Sequence, residues 1–201
     1  MVIRQMIPDL ISIFITCFSA HMTSQSVVTT LAFSQAPFKP RDHYQYYISW
    51  GVKSWEGHIL WYCPISNQNG QKKVKFPYLW VLSTIEATLL VFFVLAAWYR
   101  FLTSVWIVLL LVFVSGAVFG LTYVNAIAFF RDRFKDSCEQ FAMGFFPVAI
   151  TTGIFASALL GLYVEPILRE HCTMFINDTD FCFTRSKSID RFTSTCIVKP
   201  Q

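Results

Sequence analysis

Residues 104–130, SVWIVLLLVFVSGAVFGLTYVNAIAFF, run for 27 positions without one charged side chain. As a helix the stretch is about 39 Å long, against about 30 Å of hydrocarbon in a bilayer. A soluble helix hides one stripe and shows a polar one to water. This one has no polar side to show. It reads as a transmembrane helix that tilts or reaches past the hydrocarbon. The whole chain agrees with it: 55% of residues are hydrophobic and only 14% charged, where soluble domains carry about 25% charged residues. The expected fold class is therefore an all-α membrane protein in a lipid bilayer.

Two further stretches span a bilayer by length and composition. YLWVLSTIEATLLVFFVLAAW covers 78–98, and FAMGFFPVAITTGIFASALLGLY covers 141–163, where Pro147 is expected to kink the helix. The first 33 residues allow two readings. Arg4, LISIFITCFSA and a small-residue end resemble a signal peptide cut after Ala20. Alternatively an uncleaved span covers about 7–33. HYQYYISWGVKSWEGHILWYC, 43–63, is the most polar candidate. On a helical wheel Trp50, Ser54, Gly57 and Trp61 share one face, while Ser49, Lys53 and Glu56 share another. It is either an amphipathic helix lying on the membrane surface or a span whose charged face is hidden from lipid; the second is preferred. Five spans in 1–168, followed by a polar tail at 169–201, are the expected organisation.

Basic residues orient such a chain. The segment before the first span and the loops after the second and fourth carry Arg4, Lys72, Lys73, Lys75, Arg131, Arg133 and Lys135. The other two loops carry Lys39, Arg41 and Arg100. Seven against three places the first set in the cytosol and the tail in the lumen. Asn177-Asp178-Thr179 is a glycosylation acceptor usable only there. Cys172, Cys182 and Cys196 lie in or near the tail, where one disulfide and one odd thiol are expected. The six cysteines show no CxxC spacing, so no metal site is expected. No long basic run or nucleic-acid motif is present, and nucleic acid is not an expected partner.

Small residues at four-residue steps mark the helix faces that approach other helices. Gly116 and Gly120 form GxxxG with Tyr123 on the same face, and Ala149, Gly153, Ser157 and Gly161 repeat the device in the last span. Asn125 lies some 160° from Tyr123 on the wheel. Either both faces pack on protein or Asn125 is near the cytosolic headgroups; Arg131, six residues on, favours the second.

GAVFGLTYVN at 116–125, with FAM at 141–143 and a small-residue helix after it, resembles the C-terminal half of the battenin family, the lysosomal membrane proteins of juvenile neuronal ceroid lipofuscinosis. The likeness is specific at Tyr123-Val124-Asn125 and Phe141-Ala142-Met143. It extends more loosely to the region through Gln25 and to YQYYISWGV ahead of KSWEGHI. The resemblance implies the C-terminal bundle of a major-facilitator-like fold and favours an uncleaved first helix. It also implies a lysosomal (endolysosomal) protein supporting small-solute efflux and luminal pH homeostasis, with an N-terminal helical half or a second copy as partner. Ser115 stands where the family's tenth helix is expected to be acidic.

Glu86 is the sharpest single residue, an acid near the middle of a 21-residue span. Such a group costs a few kcal/mol unless partnered. It is either a proton-titrating or solute-contacting carboxyl or a structural hydrogen-bonding one. Lys53 and Glu56 form a path-lining pair or an interfacial one. His21 and Gln25, four apart, line the same path or make a structural hydrogen bond. There is no GxSxG, phosphate loop or HExxH, so neither an enzyme nor a cofactor is expected. The alternative to a transporter is a structural or regulatory membrane subunit that packs through its small-residue faces.

Overall fold

The computed structural model describes residues 2–62, 78–133, 139–175, 179–182 and 184. Five helices carry the fold: α1 (Val2–Met22), α2 (His43–Tyr62), α3 (Leu79–Tyr99), α4 (Val105–Arg133) and α5 (Glu139–Phe175). The described residues contain no strand, and the protein is an all-α membrane protein. Four stretches are long and apolar enough to cross a bilayer: Met6–Thr30, Leu79–Tyr99, Val105–Arg131 and Met143–Phe175. α2 is not among them, in keeping with Lys53, Glu56 and its other polar residues.

α1 lies at the centre, packed on α3, α4 and α5, which makes it part of the helix bundle. Its far end changes winding. Residues Thr23–Val27 form a π turn and Val28–Thr30 a 3-10 turn before the chain extends at Leu31. Side chains explain the change, since Ser24, Thr29 and Thr30 donate their hydroxyls to the carbonyls of His21, Ser26 and Val27. Such bonds compete with the regular ladder and accompany its departure from α winding.

α2 packs most extensively along α4. The contact is close because glycine faces glycine: a Cβ on Gly116 would meet the Gly51 carbonyl oxygen, with the Gly51 carbonyl carbon at 3.1 Å. Ser54 strengthens it by donating to the Phe113 carbonyl at 2.7 Å. α5 lies against α1 by the same means. A Cβ on Gly153 would come within 2.9 Å of the Phe14 carbonyl oxygen, and one on Gly161 would strike the Ser26 hydroxyl. Ser157, between them, is buried and bonds back to Ile154.

α5 continues through Pro147 and Pro166 to Phe175 as one helix of 37 residues, well beyond the 141–163 span expected from the sequence. Its last turns keep a packed side at Leu168 and Cys172 while Arg169 and Glu170 face outward. The boundary expected between bundle and tail at 168–169 thus falls inside a helix. Beyond it, Cys172 is disulfide-bonded to Cys182, and Thr184 donates both its N–H and its hydroxyl to the Thr29 carbonyl. The tail is thereby strapped to the 3-10 end of α1.

Candidate functional site

Glu86 is buried completely in the middle of α3. Ser115 of α4 donates its hydroxyl to Oε1, whereas Oε2 is buried with no hydrogen-bond partner. Cys17 of α1 is close enough for electrostatic interaction with the carboxyl. The residue that departs from the expected acid of the family is therefore the one that holds the acid of the neighbouring helix. A hydroxyl suits this position because it can donate to a carboxylate and, after rotation, accept from a carboxylic acid. The pair can hold Glu86 in either protonation state.

α1 and the π turn after it direct a column of hydroxyls inward: Ser12, Thr16, Ser19, Thr23 and Ser26 are all buried. Thr16 satisfies its own hydroxyl on the Ser12 carbonyl at 3.0 Å. Thr23, where the π turn starts, has a buried hydroxyl oxygen with no partner. Between α1, α4 and α5 a cavity of about 10 Å³ is lined in part by Thr16, Cys17, Thr122 and Tyr123. That is room for at most one water. A larger hollow of about 440 Å³ follows the end of α5 past Leu162, Glu165 and Arg169, and none of its lining residues is on α3.

The other residues singled out in the sequence fall in separate places. His21 and Gln25 bond to each other at 3.3 Å, and the His21 ring meets Phe119 edge-on. Lys53 is exposed on α2, so it does not join Glu86. The side chain of Glu56 and all of Asn177 lie outside the described residues. Gly120 is buried, and Tyr123 packs edge-on against Phe146 of α5 at 5.3 Å. Asn125 is buried too, donating to the Leu121 carbonyl at 2.8 Å. Both faces of α4 pack on protein, the first of the two alternatives and not the favoured one.

Arg100 escapes sequence reading, where it counts only as a loop charge. It ends α3 in the left-handed conformation at φ 53°, a state uncommon for non-glycine residues. Its guanidinium is held by the carbonyls of Thr30 at 2.9 Å and Phe181 at 3.1 Å, and by the Cys172 sulfur. It gathers the ends of α1, α3, α5 and the tail. At the opposite end of the bundle Arg133 pairs with Asp9 at 3.3 Å. Among the described residues, no group of three His, Cys, Asp or Glu could hold a metal ion.

The family profile described as CLN3 protein matches residues 1–171. Protein BTN1 of Saccharomyces cerevisiae is 26% identical over 187 residues, covering 89% of this chain and 44% of its own length. Protein BTN1 of Yarrowia lipolytica is 26% identical over 174 residues, covering 85% and 41%. Battenin of Canis lupus familiaris is 31% identical over 91 residues, covering 45% and 21%. The chain spans less than half the length of these relatives. No solved structure matches it.

Proposed function

This chain belongs to the CLN3 protein family, and we propose from that membership that it works as the C-terminal helical part of a battenin-like transporter. It serves the lysosomal (endolysosomal) membrane, supporting small-solute efflux and luminal pH homeostasis. The observation that carries the reading is Glu86: a carboxyl buried at mid-span, one oxygen on Ser115 and the other with no partner. An acid in that position is retained for proton or substrate handling more readily than for stability. The small cavity beside α1 takes no solute, so the path opens by helix movement or is completed by an N-terminal bundle or a second copy, as in carriers with sites at the midplane.

The end that carries Arg100 and the tail faces the lumen. The basic-residue count favours that orientation, and the Cys172–Cys182 bond suits an oxidising compartment. The alternative, a structural subunit docking through its small-residue faces, loses support because Gly116, Gly153 and Gly161 are already packed against this chain's own helices.

Glu86→Gln tests the carboxyl. The amide still accepts from Ser115 but cannot exchange a proton. Flux of solute from reconstituted vesicles, measured across about pH 4.5 to 7.5 at matched protein abundance, is expected to lose its pH dependence while folding is kept. An unchanged profile reduces Glu86 to a structural residue.

A further inference from the structure

The connector between α1 and α2 folds around one imidazole. His43, the first residue of α2, is fully buried, and backbone groups engage both its ring nitrogens. The Phe33 N–H donates to Nε2 at 3.2 Å. Nδ1 lies 3.0 Å from the Lys39 carbonyl and 3.1 Å from that of Pro40. An amide N–H only donates and a carbonyl only accepts, which assigns a neutral ring with its proton on Nδ1. Phe38 meets the ring edge-on at 4.6 Å between centres, with Tyr47 at 6.0 Å and Phe33 at 6.3 Å.

These bonds fasten a lid. Phe33, Ala36 and Phe38 pack over the core formed by Val27, Leu31, Tyr47, Val105 and Val108. Tyr47 ties in the start of the connector by donating to the Leu31 carbonyl at 3.1 Å. We propose that His43 is a proton-operated latch: neutral, it holds the 31–42 connector down on the end of the bundle, and protonated, it releases it. A second ring proton would point at the Phe33 N–H, which has nothing to accept it. The closed connector therefore excludes that proton and the open one takes it. Closure is complete above the ordinary histidine range near 6.5 and weakens by up to about tenfold per pH unit below it.

The charged and titratable surroundings are few. Asp42, adjacent in the chain, acts on the ring electrostatically; Lys39 has an exposed side chain. Tyr46 stacks on Phe38, and Arg100 acts on Tyr47 from the end of α3. The Thr179–Cys182 turn, which contains Asp180, packs against Pro40–Asp42, a turn that also contains Arg41. α4 contributes Val105 and Val108. The latch is independent of Glu86 and of any transported solute; only its setting in an acidic lumen rests on the orientation proposed above.

The test is amide hydrogen exchange of the connector in the full chain, held in lipid nanodiscs at about pH 7.5 and 5.0 and corrected for intrinsic rate. Protection at Phe33 is expected to fall at the lower pH by up to about 30-fold, the factor for roughly 1.5 units below 6.5. His43→Gln accepts from Phe33 and donates to the Lys39 carbonyl without titrating, so its protection is the same at both pH values. His171→Gln, on α5, leaves the wild-type step in place. Equal wild-type protection at the two pH values overturns the latch whether or not a variant folds. A step that persists in folded His43→Gln overturns it as well.

Discussion

Glu86 is legible in the sequence as an acid in an apolar run, but its partner is not. Ser115 lies 29 residues away and meets it only because α3 and α4 pack side by side. Arg100 is harder still. Its acceptors Thr30 and Phe181 are 70 and 81 residues distant, and no local pattern marks a guanidinium that will join three chain segments. Bonds from a charged donor contribute about 1.5–3 kcal/mol, so Arg100→Ala is expected to destabilise the chain by about that amount in detergent melts. One of its three partners, the Phe181 carbonyl, is on the tail, which the Cys172–Cys182 bond keeps in reach. The effects of Arg100→Ala and Cys182→Ser should accordingly be smaller together than their sum, the signature of a shared contact. Additive losses would separate the guanidinium from the clasp.

α3, α4 and the first part of α5 are readable as helices from apolar length alone. α2 is readable as a helix too, but its place is not, because its polar face suits a surface helix as well as a packed one. What decides is Gly51 against Gly116, a contact between two helices rather than a property of one. The end of α5 runs past its expected limit because Leu168 and Cys172 keep it packed after the apolar stretch has ended. Where small residues recur at four-residue steps, sequence does foretell close approach. Gly153→Leu drives a side chain into the Phe14 carbonyl and is expected to cost about 1–3 kcal/mol, as overpacking does. Leu162→Ala, on the exposed side of the same helix, should change the detergent melting curve far less. Equal curves for the two variants would remove the α1–α5 packing account.

α1 at the centre, α2 strapped to α4, and one end closed by connector and tail make a bundle with its polar column inside and apolar side chains such as Trp80, Trp106 and Leu162 outside. The family likeness is visible in GAVFGLTYVN, since it depends on residue order alone. The small cavity is not, because it depends on how α1, α4 and α5 fill the space between them. The chain spans less than half the length of its relatives and the cavity beside α1 has space for only a water, so on the transporter reading proposed above a second bundle completes the path. The decisive measurement is solute efflux from vesicles holding the purified chain, with its monomeric state established, beside vesicles that also hold the N-terminal part of a BTN1 relative. The expectation is no flux above empty vesicles from the monomer, and pH-dependent flux that Glu86→Gln flattens once the second bundle is present. Robust flux from the monomer alone would contradict the account.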